Sequence, residues 1–140
     1  MTVSFPPDIQ RALALTRASS AWERTIDITT VGARTGLLRR IEIWFHHVDE
    51  RWYLSSTPAV RAWYSNLMAN PSFTFHLKHG VHADLAATAA LVLDPSERRR
   101  VFTAIVEDFN QPHDPARVGR KQVVEEWLAG SPLLRVDFDD

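Results

Sequence analysis

The chain has 140 residues, 45% hydrophobic and 24% charged, the size of one globular domain and neither a disordered tail nor a fibre. The 16 Lys and Arg stand against 17 Asp and Glu for a net charge of -1, so the broad positive field of a nucleic-acid binder is missing and any anion must be held by local cations. With no Cys, thiol nucleophiles, disulfides and thiolate metal sites are excluded, and a reducing, cytoplasmic setting is expected.

Pro6 and Pro7 interrupt the N-terminal segment and charges follow closely, which predicts neither a secretory leader nor a membrane span. Asp8 is placed to cap a helix over 8–16, with Ile9, Ala12 and Leu13 on one face. Residues 22–30 alternate with period two, Ile26 and Ile28 opposite Thr25, Asp27 and Thr29, a half-buried strand. Gly32 and Gly36 bracket a turn, and 38–48 form a second strand with Ile41, Ile43 and Phe45 on one face and Arg40, Glu42, Trp44 and His46 on the other. Asp49-Glu50 reverses the chain into a third, antiparallel strand over 51–56.

Pro58 ends that run; Val60, Trp63, Tyr64, Leu67 and Met68 then recur at helical spacing up to Asn70-Pro71. Strands over 73–77 and 81–93 follow, joined at His79-Gly80. Asp94, Pro95 and Glu97 open a helix that buries Val101, Phe102, Ile105, Val106 and Phe109. A loop rich in Pro, Asn and Asp leads to a helical pattern of Val123, Val124, Trp127 and Leu128 ending near Gly130, and 132–138 is a last strand. Six strands with short antiparallel connections and three or four helices make an α+β, mainly β chain: one domain over 1–140, an antiparallel six-stranded barrel with helices outside.

The densest chemical signal is the turn 32–39, where two glycines, the Thr35 hydroxyl and the guanidiniums of Arg34 and Arg39 come together. Glycines let backbone N–H groups approach an anion, and Arg forks grip phosphate or carboxylate. The competing reading is an ordinary hairpin with solvated arginines. His76, His79 and His82 recur at three-residue spacing, but a hairpin turning at 79–80 sets His76 beside His82 with no carboxylate converging, which favours a cross-strand pair over a metal site. Trp44 on a polar strand face covers a helix or a dimer contact, or lies against a planar ring. Trp63 reads as core, while the Tyr64 hydroxyl needs a polar partner and is within reach of a groove.

Thr29-Thr30-Val31-Gly32-Ala33-Arg34-Thr35-Gly36, then Arg39, Ile43-Trp44-Phe45, Ser55-Ser56, Trp63-Tyr64-Ser65-Asn66-Leu67 and Ala69-Asn70-Pro71 together resemble the deazaflavin-dependent nitroreductase and quinone reductase family over residues 25–77. That resemblance implies a split β-barrel of the FMN-binding type and a groove for reduced coenzyme F-420. It also implies hydride transfer to a small organic acceptor, a quinone or nitro compound, with no protein nucleophile and no metal. By the same resemblance Arg34 and Arg39 grip the coenzyme's phosphate and acidic tail beside Thr35 and Gly36. Ile43, Trp44, Ser55, Ser56 and Thr57 line the groove, Trp63, Tyr64 and Asn66 supply the following helix, and Arg61 replaces an expected lysine. Tyr64 is a candidate proton donor, alongside a serine or solvent. Ala33, Glu42 and the lack of tyrosines beyond Tyr53 and Tyr64 depart from the family pattern. A homodimer is expected. The alternatives are an FMN-dependent enzyme of the same fold and a non-catalytic coenzyme carrier.

Overall fold

The computed structural model describes residues 4–59 and 61–139. In chain order the elements are α1 (Pro7–Leu13), α2 (Ala21–Arg24), β1 (Thr25–Val31), β2 (Leu38–Val48), β3 (Arg51–Ser55), α3 (Ala62–Ala69), β4 (Ser72–Leu77), β5 (Ala83–Leu91), α4 (Pro95–Phe109), α5 (Val124–Gly130) and β6 (Leu133–Phe138). The strands close into a barrel in the order β1-β2-β3-β6-β5-β4, each neighbouring pair antiparallel. Closure leaves no unpaired sheet edge.

Period two explains the core. Ile26 pairs with Ile43 and Ile28 with Ile41, and these side chains join Phe45, Leu54, Phe75, Ala87, Leu134 and Val136 in one apolar cluster that also takes Leu13 from α1 and Trp63 and Leu67 from α3. A second cluster lies between the barrel wall and α4. There Tyr53 and Leu133 meet Val101, Phe102, Ile105, Val106 and Phe109, with Trp127 of α5 closing it. Asp94 caps α4 by accepting the Glu97 N–H at 2.9 Å, leaving the Glu97 carboxylate to accept from the Tyr53 hydroxyl at 3.0 Å. Burial, reinforced by that carboxylate, raises the pKa of Tyr53.

Several expectations are corrected. Trp22 belongs to the short helix α2, because Ser20 and Glu23 form a reciprocal capping box that overrides the alternation of side chains; the strand starts at Thr25. Asp8 lies inside the first turn of α1, with Pro6 in the cap position. The fifth strand runs only from Ala83 to Leu91, so 78–82 is a loop and the residue opposite His76 is Asp84, not His82. His76 bonds Asp84 Oδ1 at 2.6 Å through Nδ1 and Thr29 Oγ1 at 2.7 Å through Nε2. The described residues hold five helices rather than three or four. Val60 lies outside the described residues.

Candidate functional site

The β1–β2 turn is built by its own backbone. Gly32 N–H donates to Leu37 O at 2.7 Å and Gly36 N–H to Gly32 O at 3.0 Å, while Leu37 N–H reaches Thr35 Oγ1 at 3.2 Å. A Cβ on Gly32 would stand 2.8 Å from Thr35 Oγ1, and Gly36 has φ +71°, a conformation L side chains resist. Ala33 N–H donates to Asn66 Oδ1 at 2.9 Å, and Asn66 Nδ2 to Thr30 Oγ1 at 3.2 Å, tying the turn to α3. These four amides are therefore spent inside the protein instead of forming an anion cradle. What the turn offers is charge. Arg24, Arg40, Arg51, Arg99, Arg100 and Arg135 each pair with a carboxylate, whereas Arg34 and Arg39 have no carboxylate partner among the described residues.

Two grooves open along β2. One, of about 540 Å³, is lined by Arg34, Thr35, Arg39 and Asn66 and bounded by Ile41 and Trp63. The other, of about 550 Å³, starts at the same Ile41 and Trp63 and continues past Ile43, Trp44, Ser55, Ser56, Thr57 and Arg61 to His46. The grooves thus collect every cofactor-binding residue suggested by the sequence except Gly36, which shapes the turn, and Tyr64. Tyr64 is half-buried against the barrel core, its ring edge-on to Trp63 at 6.4 Å, and it lines neither groove.

The polar groups differ in what they have left to give. Ser55 Oγ donates to Pro132 O at 2.6 Å and holds β3 to the start of β6. Ser56 Oγ and Arg61 Nε, by contrast, are buried without a hydrogen-bond partner. The other end of the Arg61 guanidinium donates to Thr57 Oγ1 at 2.9 Å and Thr57 O at 3.2 Å. Glu42 pairs with Lys78 at 2.5 Å rather than with Arg40, which pairs with Asp27 at 2.9 Å; Lys78 also holds Asp27, at 2.7 Å. Burial pushes the Asp27 carboxyl up, but Lys78 and Arg40 outweigh it and the pKa falls. The acidic residue that departs from the family pattern is thus neutralised at the groove.

The far wall escaped sequence reasoning. Phe109 at the end of α4, Arg117, Val118 and Gln122 of the connection that follows, and Trp127 of α5 roof the second groove. That loop is held by Asn110 and Gln122, which exchange bonds of 2.8 and 2.7 Å, and by Asp114, whose carboxylate accepts from Val118 N–H at 2.7 Å and Gly119 N–H at 2.9 Å. Trp127 Nε1 donates to Gln122 Oε1 at 3.1 Å. Arg117 takes φ +54°, strain for a non-glycine residue that the bonded loop supports. The Asn and Asp content of the segment was the available signal, since such side chains order turns. Trp44 is covered by Phe109, edge-on at 5.7 Å. Trp52 stands apart from these grooves, stacked on His47 at 5.2 Å and donating to Leu13 O at 2.9 Å.

The closed six-stranded barrel carries along β2 an aromatic-walled groove that is cationic at one end, an architecture of the split-barrel class. The chain belongs to the F-420H(2)-dependent quinone reductase family, which it matches over residues 10–123. It is accordingly an oxidoreductase that uses reduced F-420 and passes hydride to a small organic acceptor. Among solved structures it is similar to a conserved hypothetical protein of Mycobacterium tuberculosis, 19% identical over 99% of this chain and 83% of that one, with TM-score 0.65. The haem storage protein HutZ of Vibrio cholerae is 19% identical over 96% of this chain and 89% of its own, with TM-score 0.61. A reductase described as F-420-H2 dependent is 19% identical over 81% of this chain and 94% of its own, with TM-score 0.53. These likenesses establish the fold. No curated protein sequence matches the chain. No described helix is long and apolar enough to cross a membrane.

Proposed function

We propose that the two grooves hold reduced F-420 extended along β2, and that the acceptor is a quinone or nitro compound entering beneath the 110–123 loop. The observation that carries this reading is the polarity of the joined groove. Unpaired Arg34 and Arg39 stand at one end, and buried, unpartnered Ser56 Oγ and Arg61 Nε at the other. A phosphodiester with carboxylates suits the first set, because charge-assisted bonds to Arg are strong and directional. A planar ring suits the second, where Trp44, Trp63 and Phe109 offer apolar faces and the orphaned donors lack partners. From Arg39 to His46 a strand advances about 23 Å, enough for an elongated coenzyme.

Reduced F-420, when bound, supplies the hydride, so the chain's own residues bind, orient and shield. Arg34 and Arg39 anchor the tail. Trp63, shared by both grooves, fixes the ring's position relative to that anchor. Ser56 and Arg61 donate hydrogen bonds to the ring or to negative charge developing on the acceptor oxygen. The Phe109 and Trp127 side of the loop excludes water.

Titrating purified protein with F-420 and with FMN, followed by Trp fluorescence, tests the reading. Quenching is expected, with tighter binding of F-420, since FMN lacks the acidic tail that would engage both arginines. Equal or tighter FMN binding overturns it. The reading includes a cytoplasmic homodimer. Its support is the exposed Leu37 and Leu38, 61% and 73% accessible, an apolar edge beside the arginine turn that a second copy would cover. Sedimentation at micromolar concentration is expected to give a dimer, and a monomer there removes that part.

A further inference from the structure

Arg117 is a cation of the second groove that the tail and ring contacts leave without a role. It lines the roof of the groove while staying exposed, which puts it at the rim, and its guanidinium has no hydrogen bond or ion pair among the described residues. The carboxylate nearest in sequence is spent elsewhere: Asp114 accepts from Val118 N–H through Oδ1 and from Gly119 N–H through Oδ2. Glu42, a carboxylate that lines the same groove, is held by Lys78.

The backbone beneath this cation is strained. Arg117 takes φ +54°, and two residues later a left-handed conformation of φ +72° falls to Gly119, which adopts it freely. Glycine would fit position 117 with less strain than arginine does. The loop nevertheless holds an arginine there, its N–H donating to Asp114 O at 3.0 Å. An outlier kept in place by a bonded frame points to a function for the side chain it carries.

The surroundings define the chemistry of the ligand. Trp44, Trp63, Phe109, Val118 and Trp127 wall the groove beside Arg117, which suits a flat aromatic body. Ser56 Oγ and Arg61 Nε, buried in that groove, suit charge that develops during the reaction. Arg117 is solvated at the rim, so it suits a charge that the acceptor already carries.

We propose that Arg117 is a specificity-determining residue that selects aromatic acceptors bearing a permanent anionic group, a carboxylate or sulfonate, by pairing with that group at the groove rim. This rests on the reading that the groove holds coenzyme and acceptor. The pairing acts on acceptor binding rather than on the hydride step, because a permanent charge is the same before and during transfer.

Naphthoquinone and its sulfonate, compared as acceptors of reduced F-420, provide the test in wild type, Arg117→Gln and Arg117→Lys. In Arg117→Gln the KM for the sulfonate is expected to rise about fivefold relative to that for naphthoquinone, the size of an exposed ion pair. The ratio of the two kcat values should not follow it. Arg117→Lys should keep most of the preference, and added salt should erode it in wild type. A readout without turnover uses naphthalenesulfonate, which accepts no hydride, titrated into wild type saturated with oxidised F-420. It should shift the Arg117 Nε signal in nuclear magnetic resonance, and neutral naphthalenemethanol should not. A folded Arg117→Gln that keeps the wild-type preference, or that loses affinity for both acceptors alike, overturns the proposal. So does a loss of F-420 affinity in Arg117→Gln as large as that in Arg34→Ala, which would give Arg117 to the coenzyme and leave the coenzyme reading standing. If Arg117→Gln does not fold, an unmoved Arg117 Nε signal in wild type overturns it. Folded wild type that fails to bind F-420 removes the coenzyme reading itself, and this proposal with it.

Discussion

At the scale of single residues, Arg34 and Arg39 combine two properties: neither has a carboxylate partner among the described residues, and both flank a groove. Each Arg→Ala substitution there removes a charge-assisted contact of about 1.5–3 kcal/mol and should weaken F-420 binding roughly ten- to hundredfold. Hydride transfer at saturating coenzyme should change far less, because an anchor far from the reacting carbon acts on binding. Added salt should weaken wild-type binding more than binding to the double variant. Dissociation constants measured at two ionic strengths check this, and unchanged affinity in folded variants would remove the anchoring role. Side-chain identity made these arginines legible in the sequence. It could not separate Ser55 from Ser56, neighbours of the same type: one is consumed by the Pro132 carbonyl, the other left unpartnered in the groove. Only the third dimension makes that distinction.

At the scale of elements, β2 was legible because Ile41, Ile43 and Phe45 alternate with Arg40, Glu42 and Trp44 through its middle, and α4 because a capping Asp, a Pro and a buried stripe agree. Elements failed where two local signals competed. Around Trp22 a capping box won over period two. At 78–82 the ladder ended earlier than the apolar pattern suggested, and the cross-strand partner of His76 changed with it. The coupling of α3 to the β1–β2 turn was invisible, since it depends on one Asn side chain that bonds Ala33 N–H and Thr30 Oγ1. Asn66→Ala should therefore lower stability by about 1 kcal/mol and leave Ala33 N–H unsatisfied by protein. Its larger effect should be a several-fold loss of F-420 affinity through a loosened arginine turn. Urea unfolding and coenzyme titration of the same variant separate the two, and an affinity equal to wild type would show that the turn holds its shape alone.

At the scale of the whole molecule, pairs between segments distant in sequence join the helices to the barrel. Arg24, 2% exposed, bonds Asp108 of α4 across 84 positions of sequence (108 − 24) and caps the Ser19 and Thr16 carbonyls. Nothing in the composition marked this arginine, because its neighbours in sequence are polar. Burial pushes the Asp108 carboxyl up against the opposing pull of Arg24, so Arg24→Met should strand a half-desolvated acid and cost about 3–5 kcal/mol, read as a lowered urea midpoint. His46 adds a pH dependence of known sign. Its pKa falls from 6.5 to about 3 on folding, so between those values the unfolded chain binds the extra proton and stability drops as the pH is lowered. The contribution is complete above the unfolded value of 6.5 and is lost progressively toward about 3. One proton gives a slope of up to about 1.4 kcal/mol per pH unit. Asp27 and Asp84, lowered by their Lys, Arg and His partners, add the same sign only lower, in the carboxylate range. Asp108, raised, opposes it there. The window from pH 6.5 down to about 5 thus belongs chiefly to His46. Unfolding free energies from urea titrations across that window should fall by about 2 kcal/mol for wild type and stay nearly flat for His46→Gln, which cannot take the proton. Parallel pH profiles for the two proteins would mean that the imidazole is protonated as easily in the fold as out of it, and that burial beside Arg24 does not hold it neutral.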